Sequence, residues 1–196
     1  MKQIILIFGF LITIQTQASV DIPQPPVKTV DSIDLQKYLG KWYEIAAIPQ
    51  SFQKQCVGNT TAVYANTDEG LISVVNTCDT ASGTPSVANG RAKVIDKNSN
   101  SKLKVTFVHF LGWQFLLGVD YWILAIGENY SYAIVGAPNR DYAWILSRTP
   151  GMTNEKIIEA NQALVTQGFD TCKLISTIQT SGLQRKIPLC QIVSGK

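Results

Sequence analysis

Histidine is nearly absent from this chain: His109 is the only one among 196 residues. A Ser/His/Asp relay therefore has one candidate base, and it lies in an apolar stretch with no nucleophile elbow near it. No phosphate-binding glycine loop and no paired acid motif takes its place, so the sequence gives no support for an enzyme. The four cysteines, Cys56, Cys78, Cys172 and Cys190, never occur in a Cys-x-x-Cys spacing. With one histidine, that leaves no donor set for a structural zinc site. Haem ligation by His109 is weighed against an ordinary exposed loop histidine, and the latter is favoured; no cofactor is expected. Charge is scarce too. Seventeen basic residues against fourteen acidic give a net +3 without a dense basic run, which argues against nucleic acid as a partner.

Long apolar runs are also missing. The longest lies near the N-terminus, from Ile4 to Ile14, and its eleven residues are too few to span a bilayer. Lys2 precedes it and Thr16-Gln17-Ala18 follows, the layout of a cleaved export signal over residues 1–18. No cysteine follows the run, so no lipid anchor is expected there, and the product is read as a free periplasmic or extracellular protein. In an exported chain four cysteines imply two disulfides. Cys56 and Cys78 flank the turn "NTDEG" symmetrically, so they can pair across one hairpin and leave Cys172 for Cys190.

Apolar residues make up 45% of the chain, enough to fill a core. Residues 19–32 are proline-punctuated and read as extended. Beyond them, β-branched and aromatic runs alternate with turn signals every eight to twelve residues, as in a sandwich or barrel. Eight strands are expected: 41–48, 58–66, 71–78, 87–96, 102–108, 118–127, 130–137 and 142–148. In "KLKVTF" the alternation is clean, with Leu103, Val105 and Phe107 on one face and Lys102, Lys104 and Thr106 on the other. Only one segment has helical period. Thr153 is its N-cap, Gly168 its stop, and Ile157, Ala160 and Leu164 with Ile158 and Val165 form its apolar stripe. The expected helix is 153–167. A ninth strand, "CKLISTI", follows, and residues 181–196 form a tail. A meander of eight strands removes its edges by closing, and a barrel of that size encloses room for one small ligand. The fold class is all-β: an eight-stranded up-and-down antiparallel barrel, one C-terminal α-helix outside it, and a ninth strand. The domain is placed at residues 33–180.

Three segments carry a resemblance. "GKWYEIA", with Gly40 and Trp42, is similar to the first signature of the lipocalins. "VDYWILAI", with Asp120 and Tyr121, resembles the second, and "ILSRTP", with Arg148, the third. They occur in the family's order, and the match spans Ile33 to Ile178. "NRDYAWILSRTP" and "GFDTCKL" point to the branch of bacterial and apolipoprotein D-like lipocalins. The resemblance implies that Arg148 lies across the Trp42 indole at the closed end of the barrel. It implies fatty acids or lysophospholipids as ligands, held without covalent chemistry. It also implies a rival disulfide pairing, Cys56–Cys190 with Cys78–Cys172; the hairpin pairing is favoured, and both stay open. The bacterial branch is often lipid-anchored; this chain lacks the anchoring cysteine after its apolar run, so a free exported carrier is expected.

With the family register as guide, the inward positions are Ala46, Ala62, Tyr64, Val74, Ala88, Ala92, Val105, Phe107, Tyr121, Ile123, Val135, Tyr142 and Trp144, joined at the mouth by Phe52. Alanines on that face leave space where a packed core would carry leucine. Glu44 shares the parity. It is either bonded within the barrel, which is favoured, or meets a ligand head group. The loops at Phe52, 79–86, 109–117 and 136–141 share the open end. There "FVHFLGWQFLLG" is too apolar for an ordinary loop. It is a lid, a patch for transient membrane contact through residues 107–118 or for dimerisation, or an extension of two strands. The expected oligomeric state is monomer or weak dimer. The rival function is an interaction or inhibitor module acting through these loops.

Overall fold

The computed structural model describes residues 24–195; the expected export signal lies outside them. Eight strands form an antiparallel meander: β1 (Gly40–Ala47), β2 (Cys56–Asn66), β3 (Ile72–Thr80), β4 (Ser86–Val94), β5 (Lys102–Thr106), β6 (Val119–Ile126), β7 (Tyr132–Gly136) and β8 (Ala143–Ser147). Neighbours in sequence are neighbours in the sheet, and β1 pairs with both β8 and β2, so the sheet closes. The expected strands are all present, with ends moved by at most two residues. A ninth, β9 (Ile175–Ser176), lies on the outer half of β1 and is far shorter than the seven-residue run suggests.

Two cores result. Inside the barrel, Trp42, Ala62, Tyr64, Val74, Ala92, Val105, Tyr121, Ile123 and Val135 are buried together. Outside it, helix α2 (Asn154–Thr166) lays Ile157, Ala160 and Leu164 on Ile45, Ile134 and Ile145. Thr153 caps the helix and Gly168, at φ +77°, ends it. Ile158 and Val165, which the expected stripe included, are half exposed. They flank a stripe only one residue wide at each turn, and the sheet beneath is too curved to cover more. Two short helices were not foreseen. Helix α1 (Leu35–Tyr38) is capped by Asp34, whose Oδ1 accepts from Gln36 N and Lys37 N, and α3 (Leu189–Ser194) occupies the expected tail.

Closure is completed by the chain's own end. β1 and β2 pair only from Gly40 to Tyr43. Above that level the segment 177–180 fills the seam: Thr177 N donates to Ile45 O (2.8 Å) and Asn59 N to Ile178 O (2.7 Å). Gln179 Nε2 donates to Glu44 O (2.9 Å) and Thr60 O (2.8 Å), joining the two strands. Gly58 is required here, because a Cβ would stand 2.9 Å from Ile178 O. The disulfides are Cys56–Cys78 and Cys172–Cys190. The first ties β2 to β3 and the second staples the loop that supplies the seam, so the rival pairing is not the one formed. Gln179 is almost fully buried. Gln179→Ala strands two carbonyls and is expected to cost about 2–3 kcal/mol in denaturant unfolding. A loss under about 0.5 kcal/mol would show that the seam is not held this way.

Candidate functional site

The closed end is built on Gly40 and Trp42. Gly40 takes φ +91°, a conformation that L-residues avoid, and turns the chain from α1 into β1. Trp42 is then fully buried at the base, its Nε1 donating to Tyr38 O (2.8 Å). The Arg148 guanidinium lies 3.7 Å from the centre of that ring. It also donates to the carbonyls of Lys41, Lys37 and Tyr38 at 2.8, 2.7 and 3.1 Å. One side chain thus covers the indole and satisfies the end of α1. Asp120 faces outward and pairs with Lys104 at 3.3 Å.

Above the plug the interior is hollow. A cavity of about 340 Å³ at the mouth adjoins a deeper one of about 60 Å³, and seven residues line both. The floor is a tyrosine cluster. Tyr64 Oη donates to Tyr121 Oη (3.0 Å), which also bonds Tyr38 Oη (2.7 Å). Burial pushes Tyr64 up to about 12 and the other two well above the usual phenol range. All three stay neutral. Trp144 stacks between Tyr121 and Tyr142 and forms one wall.

Of the expected inward residues, Phe52, Ala62, Tyr64, Val74, Ala88, Val105, Phe107, Tyr121, Tyr142 and Trp144 line the cavity. Ala92, Ile123 and Val135 point inward but lie packed in the core around the base. Ala46 is the correction. The ladder between β1 and β8 shifts register between Glu44 and Ala46, and a bulge of this kind reverses the alternation beyond it. Ala46 therefore packs on the outer core and borders a cleft of about 490 Å³ by the start of α2. Val119 and Leu146 line the cavity too, as do Thr60, Asn76 and Gln53. Thr60 and Asn76 continue the alternation of Ala62 and Val74; their polarity hid them. Gln53 sits on a 3₁₀ turn (Ser51–Gln53) that no periodicity marks.

Glu44 is 8% exposed and bonded within the wall: Oε1 accepts from Thr177 Oγ1 (2.6 Å) and Oε2 from Gln53 Nε2 (3.0 Å). Burial raises its carboxyl above the ordinary 4.5, and the two donors offset this only in part. The native state then holds its proton to higher pH than the unfolded chain does. Stability should fall as pH rises from about 4.5 through the raised value, and level off beyond it. Glu44→Gln should remove that loss. Its stability relative to the parent should grow through this window, as measured by thermal unfolding across about pH 4 to pH 8. A difference that does not vary with pH would contradict the assignment.

The apolar run at the mouth projects instead of closing it. Leu111 and Leu116 are 93% and 97% exposed, with Phe110 at 72% and Leu117 at 70%; of the run only Phe107, Val108 and Leu117 reach the cavity rim. The lid expectation is therefore not met. His109 packs on Trp113 (4.7 Å between ring centres) and is not part of the lining. Among the described residues no group of three or more His, Cys, Asp or Glu is placed to hold a metal, and no helix is long and apolar enough to cross a membrane.

Comparison with known proteins agrees with this geometry. The model of the lipocalin-like domain matches residues 33–179. The chain is 36% identical to the outer membrane lipoprotein Blc of Vibrio cholerae, over 86% of this chain and 95% of that one. It is 35% identical to temperature-induced lipocalin-1 of Arabidopsis thaliana, over 79% and 83%. It is 34% identical to apolipoprotein D of Mus musculus, over 81% and 82%. Among solved structures, insecticyanin from the tobacco hornworm Manduca sexta superposes with a TM-score of 0.64, at 23% identity, over 85% of this chain and 95% of that one; at that identity the likeness is one of fold. A closed eight-stranded barrel, an indole plugging its base under an arginine, and a family match over the whole of that barrel lead to one conclusion: this chain is a member of the lipocalin family.

Proposed function

We propose that the protein binds and carries, or stores, one small hydrophobic molecule without covalent chemistry, the ligand being a single-chain amphiphile such as a fatty acid or lysophospholipid. The observation that carries this is the hollow above Trp42. A cavity of about 340 Å³ lies within the size range of small-molecule sites, and it is walled by Val105, Phe107, Val119 and Tyr142. An acyl chain entering it exchanges water for apolar surface at about 0.8 kcal/mol per methylene. The protein acts as an exported carrier, periplasmic or extracellular and free of a lipid anchor, and not as an enzyme. Native mass spectrometry of the purified protein tests this: the expected spectrum shows one lipid-sized adduct per chain, released by organic solvent. A spectrum of the bare chain alone, unchanged after incubation with lipid, would sink it.

The projecting run supports a further part of the same reading. Phe110, Leu111 and Leu116 stand out beside the mouth, where they suit transient contact with a lipid surface during loading. The same exposure favours the second reading, an interaction module acting through the open-end loops. Replacing Leu111 and Leu116 with serine separates them. Slower uptake from vesicles with unchanged affinity for monomeric ligand supports the carrier; loss of a protein partner with ligand uptake intact supports the rival.

A further inference from the structure

The cavity wall is polar on one flank, and this flank has a chemical sign. Tyr43 pairs with Thr61, so Glu44 and Thr60 come next along β1 and β2, and Gln179 ties their carbonyls together. Asn76 on β3 lies opposite Ala62, beside Thr60. Glu44, Thr60 and Asn76 thus form a ledge at one level, with Gln53 reaching in from above. Glu44 and Asn76 offer acceptors. Thr177 and Gln53 occupy one site on each Glu44 oxygen, and a carboxylate has about four. Asn76 Oδ1 is shut off from solvent and no donor of the described residues reaches it. The terminal torsion of asparagine is soft, so its amide can turn to the cavity, where a donor would recover the free energy that an unpaired buried acceptor loses. Among the described residues, no lysine, arginine or histidine lines either part of the cavity. Lys54 and Lys186 lie beyond Glu44, in the cleft outside the wall.

We propose that this ledge sets the head-group preference of the site: it favours amphiphiles bearing hydrogen-bond donors, a hydroxyl or an ammonium, over those bearing a carboxylate. An anion seated at the ledge would face Glu44 with no counter-charge on the lining, whereas an ammonium there is paired and a hydroxyl can give its proton to Asn76 or Glu44. The deeper cavity takes the end of the chain, and the ledge meets the head: Thr60, Asn76 and Gln53 border both cavities and Glu44 borders the deeper one. A fatty-acid anion binds only with its carboxylate pushed out to the mouth. The inference rests on the carrier reading above and narrows it.

The test is a matched series of one chain length, an alkylamine, a monoacylglycerol and a fatty-acid anion, titrated into delipidated protein at slightly alkaline pH with tryptophan fluorescence as readout. The amine and the monoacylglycerol are expected to bind about tenfold more tightly than the anion, the scale of one hydrogen bond to a charged group. Glu44→Gln should abolish the amine's advantage. Asn76→Leu should weaken the monoacylglycerol several-fold and leave the anion unchanged, with circular dichroism confirming that each variant is folded. Equal or tighter binding of the anion, or head-group ratios that neither substitution alters, would overturn the preference while leaving the carrier reading standing. If no member of the series binds, the carrier reading fails and the ledge with it.

Discussion

Trp42→Ala is expected to cost about 3–5 kcal/mol of folding stability, the range for removing a buried indole from a packed core. Three contributions combine. The side chain is fully buried at the base, where the strands converge and cannot relax over the gap. Its Nε1 is bonded to Tyr38 O, and its face carries the Arg148 guanidinium at 3.7 Å. With the ring gone, that guanidinium loses a cation–π contact of about 0.5–2 kcal/mol and gains a water-sized void beneath it. Arg148→Ala should cost less, about 2–3 kcal/mol, because the carbonyls of Lys37, Tyr38 and Lys41 lose their donors but lie near enough to solvent to be rehydrated in part. The effects should be non-additive, since the two side chains act on one another. Urea unfolding of the disulfide-intact protein measures the two single variants and the double variant. A Trp42→Ala loss below about 1 kcal/mol would mean that the base is plugged by something else.

The second large effect concerns binding. Ala88→Trp should weaken ligand affinity on the order of a hundredfold and leave the fold alone. Ala88 is exposed, lies opposite Asn76 and lines the mouth cavity, so an indole there enters open space and overpacks nothing. It should change stability by no more than about 0.5 kcal/mol. It occupies the route an acyl chain takes. Displacing four methylenes at about 0.8 kcal/mol each removes about 3 kcal/mol, on the order of a hundredfold in affinity. Val57→Trp, on β2 with its side chain exposed on the outer face of the barrel, is the matched control and should bind normally. If Ala88→Trp binds an acyl ligand as the parent does, the ligand is not inside the barrel.

Much of this was readable in the residues, and the parts that were not have physical reasons. The alternation in "KLKVTF" placed Val105 and Phe107 inside because one face of each strand is solvated, and Thr153 and Gly168 marked the helix because capping is local chemistry. Trp42 and Arg148 followed from resemblance, not from periodicity. The bulge in β1 was not legible. It arises where β1 must pair with β8 on one side and with the seam segment on the other, and it turned Ala46 outward. The partners of Glu44 were equally hidden: Thr177 is 133 residues away in sequence, and nothing local in "STI" signals that it fills a gap in the wall. Tyr38, the third member of the floor cluster, was overlooked because α1 has only four residues and no apolar period. Thr60 and Asn76 escape the pattern for a different reason: both are polar at inward positions, where alternation marks only their apolar neighbours Ala62 and Val74. Here the cavity keeps polar groups at the level where a head group would sit.

The central claim is that the barrel is a container for one amphiphile. Trp144 stacks on Tyr121 at the cavity wall, so it reports on whatever enters. The direct measurement is a fluorescence titration of delipidated protein with a single-chain lysophospholipid, repeated with Trp144→Phe and followed in parallel by calorimetry. The account predicts a saturable one-to-one isotherm in both proteins, with the fluorescence change largely lost in Trp144→Phe while the heat of binding persists. A response that never saturates, or calorimetry without heat of binding across several temperatures in either protein, would contradict it.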